Sequence, residues 1–287
     1  MSENLRAEGS PTLCDSDTRR KLHLRKRIHP FLEWLWPLSI LLILLGIWQG
    51  IVELFEIPLW KLPAPLAIWT ELLVSHDLLL KHGWVTLQEV LIGFSVALTT
   101  GVALAALIAY SSTLQRVIYP LVIASQTVPI IVIAPLLLIW VGYGLAPKVI
   151  VVALIAFFPI VVNTVDGLRN VDPEMNSLMR TLGANRWQFF TKVQVPTSLP
   201  LLFSGMKVAV TISVIGAVIG EWVGANAGLG YLTKLSVPLF QTARSFAAVV
   251  ILAVMGTSLF AVVALLERVS LPWYRTARSR FSETDWK

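Results

Sequence analysis

Apolar residues in this chain gather into long runs rather than alternating with polar ones, and the runs are of membrane-crossing length. Six can be read, at about 36–57, 85–110, 116–141, 148–168, 200–223 and 246–267. Each is near or above the ~20 residues a helix needs to cross the hydrocarbon of a bilayer. Pro129, Pro135 and Pro159 interrupt the third and fourth runs, which membrane helices tolerate where neighbours satisfy the freed carbonyls. The pattern predicts an all-α integral membrane protein of about six transmembrane helices. Trp34, Trp36 and Trp60 bracket the first run as interfacial anchors do.

The polar stretches between the runs are unequal. In 58–84, Pro58, Pro63 and Pro65 predict an extended start, and Leu66 to Leu80 reads as an amphipathic helix lying on the membrane. Residues 224–245, with Gly224, Gly228 and Gly230, form a second large connection on the same side. Both are open to two readings, an extracytoplasmic docking surface or a plain connection.

The stretch 169–199 is more patterned. Asp172 is placed to cap a helix, with Pro173 at its first position and Glu174 near the positive end of the dipole. Leu178, Met179 and Leu182 make an apolar stripe, and Gly183 supplies the left-handed residue that closes the helix. Asn185 can cap a second short helix, with Gln188 in capping-box position and Pro196 after its end. Two short amphipathic helices joined by a glycine elbow have the form of a plug for another protein.

Composition and charge agree with a membrane protein. Hydrophobic residues make up 56% of the 287 and charged ones only 14%, well below the usual quarter of a soluble domain. The net charge of +6 could indicate nucleic acid, but its distribution follows membrane topology instead. With both ends inside, the outer parts hold only Lys61, Lys81, Lys148, Lys234 and Arg244, leaving the other 18 of the 23 basic residues on the cytoplasmic side. The organisation expected is a basic cytoplasmic tail over 1–33, a transmembrane domain over 34–268 that includes the 169–199 loop, and a cytoplasmic tail over 269–287. Basic residues in the first tail favour anionic lipid headgroups.

Several chemistries lack their residues. There is no phosphate-binding GxxxxGK[ST] loop, no HExxH, no spaced Cys/His set and no GxSxG. Cys14 is the single cysteine, and His23, His29, His76 and His82 all fall outside the predicted spans. No catalytic residue, metal ligand or cofactor of its own is expected. Within the spans, Gln126 and Thr127 beside Pro129, Asn163 beside Thr164, and Glu221 with Trp222 are candidates for a translocation path. Interhelical hydrogen bonding for the amides, and solvation at headgroup level for Glu221, are the alternatives. Trp140, Tyr143, Phe157 and Phe158 could stack on a flat solute or belong to belt and core. Gly216, Gly220 and Gly224 have small-xxx-small spacing for helix packing, within the chain or at a dimer contact. Asp166 is placed to pair with Arg169, and Lys207 to snorkel to the inner interface.

The 169–199 loop resembles the cytoplasmic signature of permease subunits of ATP-binding-cassette importers: EAA, three residues, Gly, nine residues, then I-x-L-P. Gly183 matches the glycine, and Val193, Gln194, Val195 and Pro196 match the end conservatively, whereas Ser177, Leu178 and Met179 replace the EAA triplet. The likeness extends over about 60–268. The stretches GFSVALTTGVALA, QTVPIIVIAPLLLIWVGYGLAPK and IGEWVGANAGLGYL are similar to the branch serving nitrate, sulfonate and taurine. Within that branch they look most like permeases assigned to riboflavin or the pyrimidine precursor of thiamine.

The resemblance implies a plasma-membrane permease with ATP hydrolysed on partner ATP-binding-cassette subunits and solute delivered by an extracytoplasmic binding protein; six spans are too few to close a two-sided pathway alone, so a homodimer is expected. It implies coupling through Asp172, Glu174, Leu178, Met179, Leu182, Gly183, Ala184 and Pro196. The alternatives are the same class of transporter carrying a sulfonate, taurine or nitrate, and, more distantly, an ion-coupled carrier. That carrier would want membrane-embedded acids, of which Glu221 alone is legible.

Overall fold

A computed structural model describes residues 29–272. Both predicted tails fall largely outside this range, as do Cys14 and His23. The described chain is helical throughout. In order the helices are α1 (His29–Leu54), α2 (Pro65–Val74), α3 (His76–Tyr110), α4 (Ser112–Ser125), α5 (Ile130–Val141), α6 (Leu145–Arg169), α7 (Pro173–Thr181), α8 (Arg186–Gly224), α9 (Leu229–Ser236) and α10 (Thr242–Ser270). Five are long and apolar enough to cross a membrane, or six if the bent pair α4 and α5 counts as one broken span.

The chain divides into two compact units. The first runs through Pro58 and takes in Ala64–Leu66; the second holds Leu59–Pro63 and everything from Ala67 on. In the first unit, α1 is apolar all round, as a lipid-surrounded helix is. Gln49 accepts the backbone N–H of Leu66 at 3.1 Å.

In the second unit α6 is the centre, packed between α3 and α8. Its Val151, Val152, Ala156, Ile160, Val161 and Val165 are fully or almost fully buried. Close approach is possible because small residues face it. A Cβ on Gly93 would stand 2.5 Å from the Val152 side chain, and one on Gly205 2.7 Å from the Pro159 carbonyl. Membrane helices associate through such van der Waals contact, since lipid is as apolar as leucine. Ala134 and Leu137 of α5 complete one side of this core against Val151.

Three boundaries differ from the sequence expectation. Helix α3 starts at His76 instead of near 85, so the surface helix expected over Leu66 to Leu80 is two pieces meeting at Ser75. His76 and His82 therefore lie within a long membrane helix. The run 116–141 is not continuous either: α4 and α5 meet at 95°. The break falls at Gln126–Pro129, because Pro129 has no N–H to continue the ladder, and it takes the N-cap place of α5. Pro135 and Pro159 stay inside unbroken helices.

The third difference is at Pro196, which does not end a short helix. The helix opened by Asn185 passes through a π-helical stretch, Phe190–Gln194, and continues to Gly224. Val195 donates to the Phe190 carbonyl, five residues back. That wider turn precedes Pro196, which has no N–H to give and whose ring would crowd a regular turn.

Candidate functional site: a capped plug at one end and a buried polar anchor at the other

The plug is built from local rules. Asp172 accepts the Glu174 N–H at 2.9 Å, and Pro173 opens α7. At the other end the Ala184 N–H reaches the Met179 carbonyl and the Gly183 N–H reaches that of Arg180, each at 3.0 Å. This double closure requires a left-handed residue, and Gly183 has φ +74°. Asn185 and Gln188 then exchange bonds of 2.8 and 2.9 Å, a complete capping box at the head of α8.

No residue of α7 is buried. Leu178 is 53% exposed and Leu182 70%, so among the described residues these two members of the apolar stripe are left largely uncovered, while Met179 is half-buried. Trp187 is also exposed and stacks on Phe190 with ring centroids 5.9 Å apart. Gln194 ties α8 back to α6 by donating to the Leu168 carbonyl at 2.9 Å. The ion pair expected between Asp166 and Arg169 is replaced by partners on α4. Tyr119 donates to Asp166 at 3.2 Å. Gln115, in the amide orientation that satisfies both groups, accepts from Arg169 at 2.8 and 3.0 Å.

At the far end of α8, Glu221 is 1% exposed, which goes against the alternative reading of a solvated headgroup-level acid. Its carboxylate accepts from the Thr86 hydroxyl at 2.6 Å and from the Gly230 and Tyr231 N–H groups at 2.5 and 3.2 Å. Thr86 in turn accepts the Leu229 N–H at 2.8 Å, and the His82 ring accepts that of Gly228 at 2.9 Å. The first turn of α9 thus places its orphan donors on α3 and α8. Gly228 has φ +119° and lies so close to the Glu221 carboxylate that a Cβ would overlap it. The connection 224–245 therefore contains a short helix whose first turn is buried against α3 and α8, while 237–241 after it are exposed.

Two further charges sit beside this anchor. Lys148, counted above with an outer loop, is buried on α6 and donates to Glu89 of α3 at 2.6 Å; the Glu89 side chain is 0% exposed. Glu89 neighbours Glu221, so Glu221 is not the only embedded acid. Charges cost so much in this setting that they persist only when paired. Lys207 likewise pairs with Glu267 of α10 at 2.8 Å instead of snorkelling to the interface.

The path candidates do not share one cavity. Gln126 and Thr127 are exposed at the α4–α5 break, where Thr127 donates to its own helix at Ala124. Asn163 donates to the Pro159 carbonyl at 2.8 Å and packs on Gly205. Gly205 lies 16 residues before Glu221, about 24 Å along α8. Trp222 alone lines a large apolar cavity of about 780 Å³, with Ile219, Thr233, Lys234 and Phe246. The Trp222 indole donates to Thr233 at 3.3 Å. Phe157 and Phe158 pack on the core, while Trp140 and Tyr143 are exposed.

The glycine stripe of α8 faces inward. Gly216 lies against Val152, Gly220 against Lys148 and Gly224 against Leu138. Gly216 and Gly220 are buried in this packing within the chain, and Gly224 is half-buried. Sequence reasoning missed Glu89, Lys148, His82 and Thr86. The period of α3 carried a signal, since His82, Thr86 and Glu89 recur at spacings of four and three and so share a helix face.

Comparison with known proteins accounts for this arrangement. Residues 97–270 match the family described as the binding-protein-dependent transport system inner membrane component. The chain is 37% identical over 249 residues to the formylaminopyrimidine transport permease of Halalkalibacterium halodurans, covering 86% of this chain and 98% of that one. It is 36% identical to the riboflavin transport system permease of Chloroflexus aurantiacus, covering 86% and 94%. It is 30% identical to an aliphatic sulfonates transport permease of Bacillus subtilis, described as putative, covering 93% and 96%. The fold is similar to a chain in inward-facing conformations of the MetNI methionine ABC transporter, with TM-score 0.61 and 20% identity over 68% of this chain and 97% of that one. Five or six apolar spans, a helix–glycine–helix plug and these matches over most of the sequence make this chain a member of the ABC importer permease family, a multi-pass subunit of the inner membrane that works with ATP-binding subunits and a solute-binding protein.

Proposed function

We propose that the chain forms a homodimeric permease that carries a vitamin-type heterocycle, riboflavin or the pyrimidine precursor of thiamine, using ATP hydrolysed on partner subunits. The plug faces the cytoplasm in this reading, with both termini on the same side. The skew of basic residues supports that orientation.

One observation carries the coupling role: α7 is capped at both ends, buries nothing and exposes Leu178 and Leu182. A nine-residue helix has little stability alone, so its apolar face needs a partner, and an ATPase groove is that partner. When the ATPase pair closes on nucleotide, the two plugs are drawn together, and the movement passes through the Gly183 elbow into α8. About six spans are too few to enclose a two-sided pathway, so two copies line it across a two-fold axis. The solute enters from its binding protein at the end that holds α9.

The solute class is supported by identities of 36–37% to permeases named for formylaminopyrimidine and riboflavin. A sulfonate is the second reading, favoured by the 30% match over 270 residues. A photo-crosslinker at Leu178 should label an ATPase subunit, and labelling of lipid alone refutes the coupling role. Titration of the cognate binding protein with riboflavin, formylaminopyrimidine and taurine decides the solute.

A further inference from the structure

A second cavity, polar and about 350 Å³ in volume, lies where the plug meets the ends of the membrane helices. Its walls include Tyr110 and Gln115 at the α3–α4 turn, Asn176 and Arg180 of α7, and Arg186 and Phe190 of α8. No Asp or Glu lines it. Among the described residues, neither Arg180 nor Arg186 has an ion pair or hydrogen bond from its side chain. The positions one helical turn from Arg180 are Asn176, Ser177, Gly183 and Ala184, and those around Arg186 are Leu182, Gly183, Phe189 and Phe190. No carboxylate is therefore within reach along either helix.

Two unpaired guanidinium groups at a cavity of ligand size, without a neutralising acid, favour an anion. The planar fork of arginine matches phosphate oxygens in particular. The surroundings set the depth of that anion. Tyr110, the last residue of α3, meets Phe190 edge-on at 6.3 Å, and Phe190 stacks on Trp187, which is 62% exposed. A tyrosine at the end of a membrane helix marks the headgroup level, and Tyr110 holds that place. We infer that this cavity holds the phosphate headgroup of an anionic phospholipid.

The lipid would bridge α7, which has no buried residue of its own, to the α3–α4 turn. Its effect on coupling rests on the function proposed above; its binding does not.

The test uses the whole permease–ATPase complex in neutral detergent, offered equal amounts of dioleoyl-phosphatidylglycerol and dioleoyl-phosphatidylcholine. Native mass spectrometry counts the lipid retained. The wild type is expected to keep the glycerol lipid several-fold over the choline lipid, and Arg180→Gln/Arg186→Gln to keep both equally. Arg268→Gln, at the end of α10, should behave as wild type. A melting temperature unchanged in the double variant separates lost binding from unfolding. Equal retention by the wild type, or an undiminished preference in the double variant, overturns the inference. Displacement of the lipid by excess glycerol 1-phosphate would assign the site to a soluble anion instead. Binding that appears only after the ATPase subunits are stripped away would assign the cavity to the protein interface.

Discussion

The carboxylate of Glu221 receives the backbone N–H of Gly230, nine residues further along the chain, in a place closed to solvent. Helix α9 has eight residues, too few to persist unaided. Its open N-terminus needs acceptors, and the Glu221 side chain supplies one to both Gly230 and Tyr231.

Glu221→Gln should therefore loosen α9. The amide keeps the size of the side chain but turns one acceptor into a donor, which faces either the Thr86 hydroxyl or the two backbone N–H groups. A cost of about 1–3 kcal/mol follows for the bond lost at a buried site. A lowered melting temperature of the purified complex, with faster hydrogen exchange confined to 228–236, is the expected result. Glu221→Asp should do no better, because the carboxylate is withdrawn by one methylene.

The Glu89–Lys148 pair makes a sharper prediction through its asymmetry. Lys148→Met alone strands a buried carboxylate next to Glu221 and should cost about 3–5 kcal/mol. Glu89→Leu with Lys148→Met removes both charges and should recover most of that loss. A double-mutant cycle by thermal unfolding measures the difference; additive effects would mean the pair is not coupled.

At the elbow, a Cβ on Gly183 meets nothing within 4 Å, but φ is +74°. A substitution there is penalised by backbone strain of about 1–2 kcal/mol and not by a clash. Gly183→Asp should leave the complex assembled while ATP hydrolysis is uncoupled from transport. The ratio of solute moved to ATP hydrolysed, in proteoliposomes, checks this.

Gly205→Ala tests the seam between α6 and α8. The added methyl would stand 2.7 Å from the Pro159 carbonyl and 2.9 Å from Asn163, and backbone cannot move aside as a side chain can. A loss of about 1–3 kcal/mol is expected from overpacking. Gly83→Ala, whose nearest neighbour is 3.8 Å away, should be close to neutral on the same assay.

One pH effect is expected outside the membrane spans. Burial pushes the Glu71 carboxyl up, but hydrogen bonds from Ser75 and Arg244 and the charge of Arg244 outweigh it and hold the group below its ordinary 4.5. A depressed pKa means stabilisation that is whole above about 4.5 and lost as pH falls through the folded value. The tie from α2 to the start of α10 should weaken in acid, and Glu71→Gln should remove that dependence. Thermal melts of both forms at pH 3 to 7 test it.

Much of the plug was legible in the sequence because capping is a local matter. Asp172, Gly183, Asn185 and Gln188 each act within five residues of themselves. Span existence was legible for a similar reason, since hydrophobic length is a property of one segment. Pro196 was misread because its consequence depends on the π-helical turn just upstream, which no residue type announces. The anchor was hidden by distance: Thr86 and Glu221 are 135 residues apart, and Lys148 and Glu89 are 59 apart. Lys148 taken by itself looks like a loop residue, and only its partner gives it a reason to be buried. Glu221 was noticed, but its partners are backbone groups of a segment that reads as a glycine-rich loop.

The π-helical turn has a mechanical consequence. Because the chain does not stop at Pro196, Arg186 and Gly224 sit on one rod of 39 residues, about 58 Å long at 1.5 Å per residue. The capped plug and the buried anchor are therefore carried on one continuous element, with its π-helical turn, Pro196 and Pro200 all gathered towards the plug.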